Sequence, residues 1–308
     1  MLKKGKDFLT LLNIADEELS KILYLTEKVK KKDISQYKNI LSGKNIGMIF
    51  EKPSTRTRVS FEVAINELDG KSLYLSSRDL QLKRGETISD TAKTLSRYLD
   101  GIVIRVYSHS DVEELAKNAS VPVINALTDM YHPCQGIADI FTIKEKKGRV
   151  KNIKIGYFGD GNNVCHSLML SSVMSRADII IACPHGYEPE ANTFKVAKEI
   201  ADKNRCKLTI THDPKIAALN SDVIYTDVWV SMGHEESKKE REKVFLPFQV
   251  NSNTMSIAKD DAIFMHCLPA HRGEEVISEI IDGESSVVFD QAENRLHTQI
   301  ALLIYMWS

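Results

Sequence analysis

Phe50-Glu51-Lys52-Pro53-Ser54-Thr55-Arg56-Thr57-Arg58 stands between an apolar run, Ile46 to Phe50, and a helical pattern that begins near Arg56. The run before it reads as a strand. Pro53 halts that strand, and Ser54 is placed to cap the following helix. The turn therefore carries two threonine hydroxyls and two guanidinium groups to a point where a helix leaves its first backbone N–H groups unpaired. Such a point attracts anions, and its number of donors suits a phosphate. A plain capped helix with two solvated arginines would use the same residues, so the rest of the chain has to decide between the two.

On either side the pattern alternates between strand and helix. Asp16 to Lys32 predicts an amphipathic helix ending in a lysine run, with Ile22, Leu23, Leu25 and Val29 at helical spacing. After the helix stopped by Gly70 come a strand at Leu73–Leu75, a donor-rich polar loop from Ser76 to Glu86 containing Gln81, and a helix over Thr87–Leu99. Strands over Gly101–Val106 and Val121–Asn125 flank a helix over Val112–Ala119. Arg105 stands where the first of these strands leaves the core, which is where open α/β sheets place ligand contacts. His132-Pro133-Cys134-Gln135 then opens a helix running to Lys147. Proline keeps His132 out of that helix, so its imidazole sits at the turn as a candidate donor to a carbonyl oxygen.

The lysine-rich segment Lys144–Lys154, with Gly148, reads as a hinge, after which the alternation repeats. Strands are expected over Ile153–Phe158, Asp178–Cys183, Lys207–Ile210, Asp222–Asp227, Ala262–Met265 and Ser286–Asp290, with a final helix from Gln291 to Trp307. The turn Gly159-Asp160-Gly161-Asn162-Asn163 resembles a dinucleotide turn, but Val164 follows where close approach to a pyrophosphate needs a third glycine. Asn162 and Asn163 offer amides better suited to a small polar ligand. The charged segment His234–Lys243 reads as a solvated surface helix. Together the elements imply an α/β protein of two doubly wound parallel-sheet domains facing each other across a cleft.

With 308 residues there is chain for about two domains. The net charge of −1 gives no field for nucleic acid, so anion binding has to be local. No apolar run approaches the length of a membrane span, and the N-terminal lysines precede no signal-type apolar region. Five scattered cysteines (134, 165, 183, 206, 267) argue for reduced thiols in the cytoplasm. There is neither a P-loop nor a metal-ligand spacing, and no cofactor is implied. The polar residues cluster just past strand ends. Ser54 to Arg58, Arg105, His132 and Gln135 suit a phosphorylated carbonyl compound, while Asn163, Asp227 and Ser231 suit an amino acid's charged groups. Such a set positions and polarises two substrates without a covalent intermediate.

Four segments in order, Ser54-Thr55-Arg56-Thr57-Arg58, His132-Pro133-Cys134-Gln135, Asp227 with Ser231-Met232-Gly233, and His266-Cys267-Leu268-Pro269, resemble the ornithine carbamoyltransferases. The first two are shared with aspartate carbamoyltransferases and the last two point to ornithine. Cys134 departs from the threonine of many relatives.

The resemblance implies that Ser54, Thr55, Arg56, Thr57, Gln81, Arg105, His132, Gln135 and Arg295 bind carbamoyl phosphate. It implies that Asn163, Asp227, Ser231, Met232, Cys267 and Leu268 bind ornithine, and that Arg105, His132 and Cys267 are catalytic. It further implies a cytoplasmic homotrimer with Gln81 reaching a neighbouring subunit's site. The implied domains are 1–147 for carbamoyl phosphate and 148–288 for ornithine, with a C-terminal helix, 289–308, packing back on the first. Aspartate, putrescine or acetylornithine as the acceptor, a non-catalytic phosphometabolite sensor, and a dinucleotide-dependent oxidoreductase are the competing readings.

Overall fold

The computed structural model describes residues 5–76, 78, 80, 85–230 and 238–308. The chain forms two compact units, Met1–Ile137 with Asn294–Ser308, and Ala138–Glu293. These divisions fall inside helices, so they coincide with neither expected boundary, 147/148 or 288/289. Residues 144–147, expected to belong to a hinge, are instead the last turn of a continuous helix. Gly148 ends it with φ of +71°, the left-handed conformation that commonly follows a helix.

The first unit contains α1 (Asp16–Lys30), β1 (Asn45–Phe50), α2 (Thr55–Glu67), β2 (Lys71–Ser76), α3 (Ile88–Leu95), β3 (Gly101–Arg105), α4 (His109–Asn118) and β4 (Val123–Leu127). It also holds the start of α5 (Pro133–Lys147) and, from Asn294, the rest of the chain. Its four strands are parallel in the order β2-β1-β3-β4. Ile46, Met48 and Ile49 on β1 are all fully buried, as expected of a parallel strand covered on both faces. Each such side chain contributes roughly 1.5–3 kcal/mol by leaving water. Because β1 is central, the chain leaves it one way to β2 and crosses back the other way to β3. The crevice beyond the carboxyl ends of β1 and β3 is thus a topological switch point, the place where open sheets hold ligands.

The second unit continues with β5 (Lys154–Phe158), α6 (Asn163–Met174), β6 (Asp178–Ala182), α7 (Ala191–Asn204), β7 (Leu208–Thr211), α8 (Pro214–Ala218) and β8 (Val223–Thr226). After these come α9 (Lys238–Phe245), α10 (Ser252–Ser256), β9 (Ile263–His266), α11 (Ser278–Ile281) and the first turns of α12 (Val288–Trp307). Its sheet is also parallel, in the order β7-β6-β5-β8-β9, and the switch point lies between β5 and β8.

The expected strand at 286–290 does not form. Ser286 makes a single bridge to Phe264, and by Val287 the carbonyl already accepts the helical N–H of Gln291 at 2.9 Å. The apolar periodicity of the last helix extends back to Val288, which is buried on its inner stripe and overrides the strand propensity of Val287-Val288. Among the described residues, no helix is long and apolar enough to cross a membrane.

Candidate active site

In the first unit Ser54 caps α2 as expected, its hydroxyl accepting the Thr57 N–H at 3.4 Å. Thr55 and Arg56 are exposed at the mouth of the crevice, whereas Thr57 is buried. The Thr57 hydroxyl receives the Ser54 hydroxyl at 3.1 Å and the Arg105 Nη1 at 3.4 Å. That second bond links the turn after β1 to the end of β3, directly across the switch point. Arg58 is drawn away from this group. Its guanidinium lies 3.9 Å from the Tyr74 ring centroid and donates to Glu62 at 2.9 Å, so its charge is used along the helix surface.

His132 precedes α5, buried, with Pro133 as the first residue of the helix. Burial, together with the positive charges of Arg295, Arg105 and Arg56, pushes its imidazole well below the usual histidine range. The ring is neutral at neutral pH. Arg295 Nη1 lies 3.4 Å from Nε2, and since a guanidinium can only donate, Nε2 accepts and the ring's own proton sits on Nδ1. Arg295 Nη1 also donates to Gln135 Oε1 at 2.7 Å, fixing that amide's orientation. Burial raises the Cys134 thiol to about 12, so it stays protonated, with its sulfur 3.5 Å from the Asn125 carbonyl oxygen. The three guanidinium groups of Arg295, Arg105 and Arg56 thus all act on one neutral donor imidazole in a chain whose net charge is −1. The arrangement suits a dianion with an attached polarisable oxygen.

In the second unit the polar groups follow the switch point in the same way. Asp227, just past β8, is buried; its Oδ2 accepts from Asn162 Nδ2 at 2.8 Å and its Oδ1 from the Cys267 thiol at 3.2 Å. One carboxylate therefore ties together the turns after β5, β8 and β9. Asn162 also caps α6, its side-chain oxygen accepting the N–H groups of Val164 and Cys165 at 3.0 Å each. Asn163 is the first helical residue, half-buried beside it. Leu268 follows Cys267, and its N–H donates to His266 Nδ1 at 2.8 Å. The opposite nitrogen, Nε2, lies 3.1 Å from Glu275 Oε1, with both side chains fully buried. The His266 N–H donates to Gln291 Oε1 at 3.0 Å, and Gln291 Nε2 donates to Asp139 at 2.7 Å. A buried network therefore holds the Cys267-Leu268 turn from beneath. Gln81, Ser231 and Met232 lie outside the described residues.

The glycines of the 159–163 turn are needed for local geometry. Gly159 has φ of +132°, and a Cβ on Gly161 would lie 2.2 Å from the Pro189 nitrogen. Two residues absent from the expected set matter as well. Arg241, on the helix expected to be merely solvated, is buried; it pairs closely with Asp160 in this turn and donates from Nε to the Trp229 carbonyl at 2.6 Å. Its guanidinium also packs 4.8 Å from the Tyr187 ring centroid. Asp160 and Arg241 are 81 positions apart, and nothing in the charge pattern of α9 separates Arg241 from its solvated neighbours.

Two domains of one family match in chain order. Residues 6–145 match the carbamoyl-P binding domain and residues 151–306 the Asp/Orn binding domain of aspartate/ornithine carbamoyltransferase. The chain belongs to the aspartate/ornithine carbamoyltransferase family. Within it, the chain is 55% identical over 300 residues to an ornithine carbamoyltransferase of Thermococcus kodakarensis, covering 97% of this chain and 95% of that one. The solved ornithine carbamoyltransferase of Pyrococcus furiosus superposes with a TM-score of 0.93 at 54% identity, over 97% of this chain and 96% of its own. An anabolic ornithine carbamoyltransferase from Campylobacter jejuni gives 0.92 at 41% identity, over 98% of each chain.

Proposed function

We propose that this carbamoyltransferase moves the carbamoyl group of carbamoyl phosphate to the δ-amine of L-ornithine, giving L-citrulline and phosphate in arginine biosynthesis. The observation that carries the reading is the Asp227 carboxylate bonded to both Asn162 and Cys267, which presents acid, amide and thiol together beyond the sheet. An amino acid's ammonium group matches the carboxylate, and a side-chain amine can be oriented by the thiol and the neighbouring Leu268. Asn163, Ser231 and Met232 complete the ornithine contacts.

The phosphate binds the N–H groups and hydroxyls of Ser54, Thr55 and Thr57 and the guanidinium groups of Arg56 and Arg105. Gln135 holds the carbamoyl amide, Arg295 closes the phosphate side, and Gln81 reaches the site of an adjacent subunit. Neutral His132 donates to the carbonyl oxygen without the electrostatic cost of placing another cation beside three arginines. With Arg105 it stabilises the negative charge that develops when the uncharged δ-amine attacks carbon. Phosphate then leaves with the C–O bonding electrons and takes up the proton that the attacking nitrogen loses, departing as hydrogen phosphate. The enzyme is proposed to be a cytoplasmic homotrimer with its sites at the subunit interfaces.

Citrulline formation tests this reading with ornithine, aspartate, putrescine and acetylornithine as competing acceptors. A strong preference for ornithine is expected. Turnover with putrescine instead would overturn the roles of Asn163 and Asp227. Sedimentation of the purified protein tests the trimer.

A further inference from the structure

Beyond the carboxyl ends of the adjacent strands β6 and β7, away from the residues assigned to substrate, His185, Glu188 and His212 come together. One ligand atom from each lies within 4.8 Å of the other two. The sequence holds no metal-ligand spacing here, because His185 and Glu188 belong to the turn after β6 and His212 follows β7. Only the parallel pairing of Ile179–Ala182 with Leu208–Thr211 makes them neighbours.

The orientation of His212 is what distinguishes this cluster from a chance surface group. Its Nδ1 lies 2.8 Å from the backbone carbonyl of Cys183, which can only accept, so Nδ1 carries the proton. Nε2 then holds the lone pair and faces Glu188 Oε1 at 3.7 Å. An imidazole donating one N–H to a carbonyl while presenting the other nitrogen is how proteins orient metal-bound histidines. Glu188 is held likewise: its Oε2 accepts the Gly186 N–H at 2.9 Å, directing the other oxygen at the histidine. The His185 ring lies against His212 with centroids 3.5 Å apart, and one of its ring nitrogens is within 4.8 Å of the ligand atoms of His212 and Glu188.

We infer that His185, Glu188 and His212 form a surface site for a divalent transition metal of the zinc, nickel or cobalt type, closed by water. Two imidazoles and one carboxylate select such borderline ions over magnesium or calcium, which prefer all-oxygen shells. The metal clips the turn after β6 to the turn after β7. The first of these turns also packs on the ornithine side: the Gly161 N–H donates to the Tyr187 carbonyl at 2.9 Å. The bound ion therefore braces the loop behind Asn162 and takes no part in the chemistry.

Co2+ titration of the full-length protein, followed by its visible absorption, tests the site. Because Asp227, His266 and Cys267 also lie close together, the titration is repeated in a Cys267→Ser background, where only nitrogen and oxygen ligands remain for this cluster. One equivalent is expected to bind in that background without thiolate-to-metal absorption. His212→Ala and His185→Ala each weaken it by at least about tenfold, the loss that removing even an outer partner causes at metal sites. Zn2+ should raise the melting temperature of the otherwise unaltered protein but not of His212→Ala, while Mg2+ shifts neither. The turnover of His212→Ala without metal should equal that of the unaltered protein. Binding that survives both histidine substitutions, an equal response to Mg2+, or no bound equivalent at about 100 µM free Co2+ would each overturn the inference.

Discussion

Replacing His132 by glutamine separates two consequences of burying a neutral imidazole among arginines. The side chain is buried and faces Arg295, Arg105 and Arg56, so its proton affinity in the folded chain lies well below the ordinary histidine value. The unfolded chain binds a proton near pH 6.5 and the folded chain does not. Below that value the unfolded state gains protons and stability falls, whereas above it the contribution is constant. From pH 7.5 to 5.5 this one group should remove about 1.4 kcal/mol of stability, one tenfold step in the unfolded state's protonation. His132→Gln should lose that much less over the same interval, because glutamine does not titrate. Denaturant unfolding of both proteins at the two pH values reads the difference. If the two lose equal stability, His132 is not held neutral by its surroundings and the reasoning fails. His132→Ala, which unlike glutamine leaves no side-chain N–H to donate, should lower kcat by about 10²–10³-fold, the usual effect of removing one donor from a developing oxyanion. The pH dependence of the unaltered enzyme's kcat should then show no step near 6.5 from this residue.

Arg241→Met leaves the Asp160 carboxylate without its cation in a half-buried turn, and should cost about 3 kcal/mol of stability. It should also raise the KM for ornithine while sparing that for carbamoyl phosphate; equal changes in both would argue that the turn acts on neither substrate in particular. Thr57→Val removes the acceptor of both Ser54 and Arg105 and should weaken carbamoyl phosphate binding about tenfold with ornithine unaffected, as read by initial rates. The attacking amine must be uncharged, so turnover at subsaturating ornithine should rise with pH from about 6 to 9, given an ordinary amine value near 10. A flat profile would remove amine deprotonation from the reaction.

Much of the proposed phosphate half of the candidate site was legible in the sequence, because its parts are local. Proline, serine, threonine and arginine in one turn write a helix cap and the proposed anion site into consecutive residues, and Pro133 by itself excludes His132 from a helix. The alternation of apolar runs and helical periods likewise announced two parallel sheets. Local pattern failed at Ser286–Asp290, where two valines suggest a strand but the helical stripe behind them continues to Val288. It failed again at Arg241, which matches its solvated neighbours in type and differs only in what the fold places beside it.

Strand order decided the rest. The Thr57–Arg105 bond, the three-way sharing of Asp227 and the meeting of His185 with His212 each join residues at the ends of different strands. Which strand ends become neighbours depends on where each sheet reverses direction, a long-range packing result that no window of sequence contains. The sequence alone determined most of the elements and the chemical types at their ends. The tertiary structure determined which of those ends share a charge or a proton, because electrostatics and hydrogen bonding act over distances in space and not along the chain.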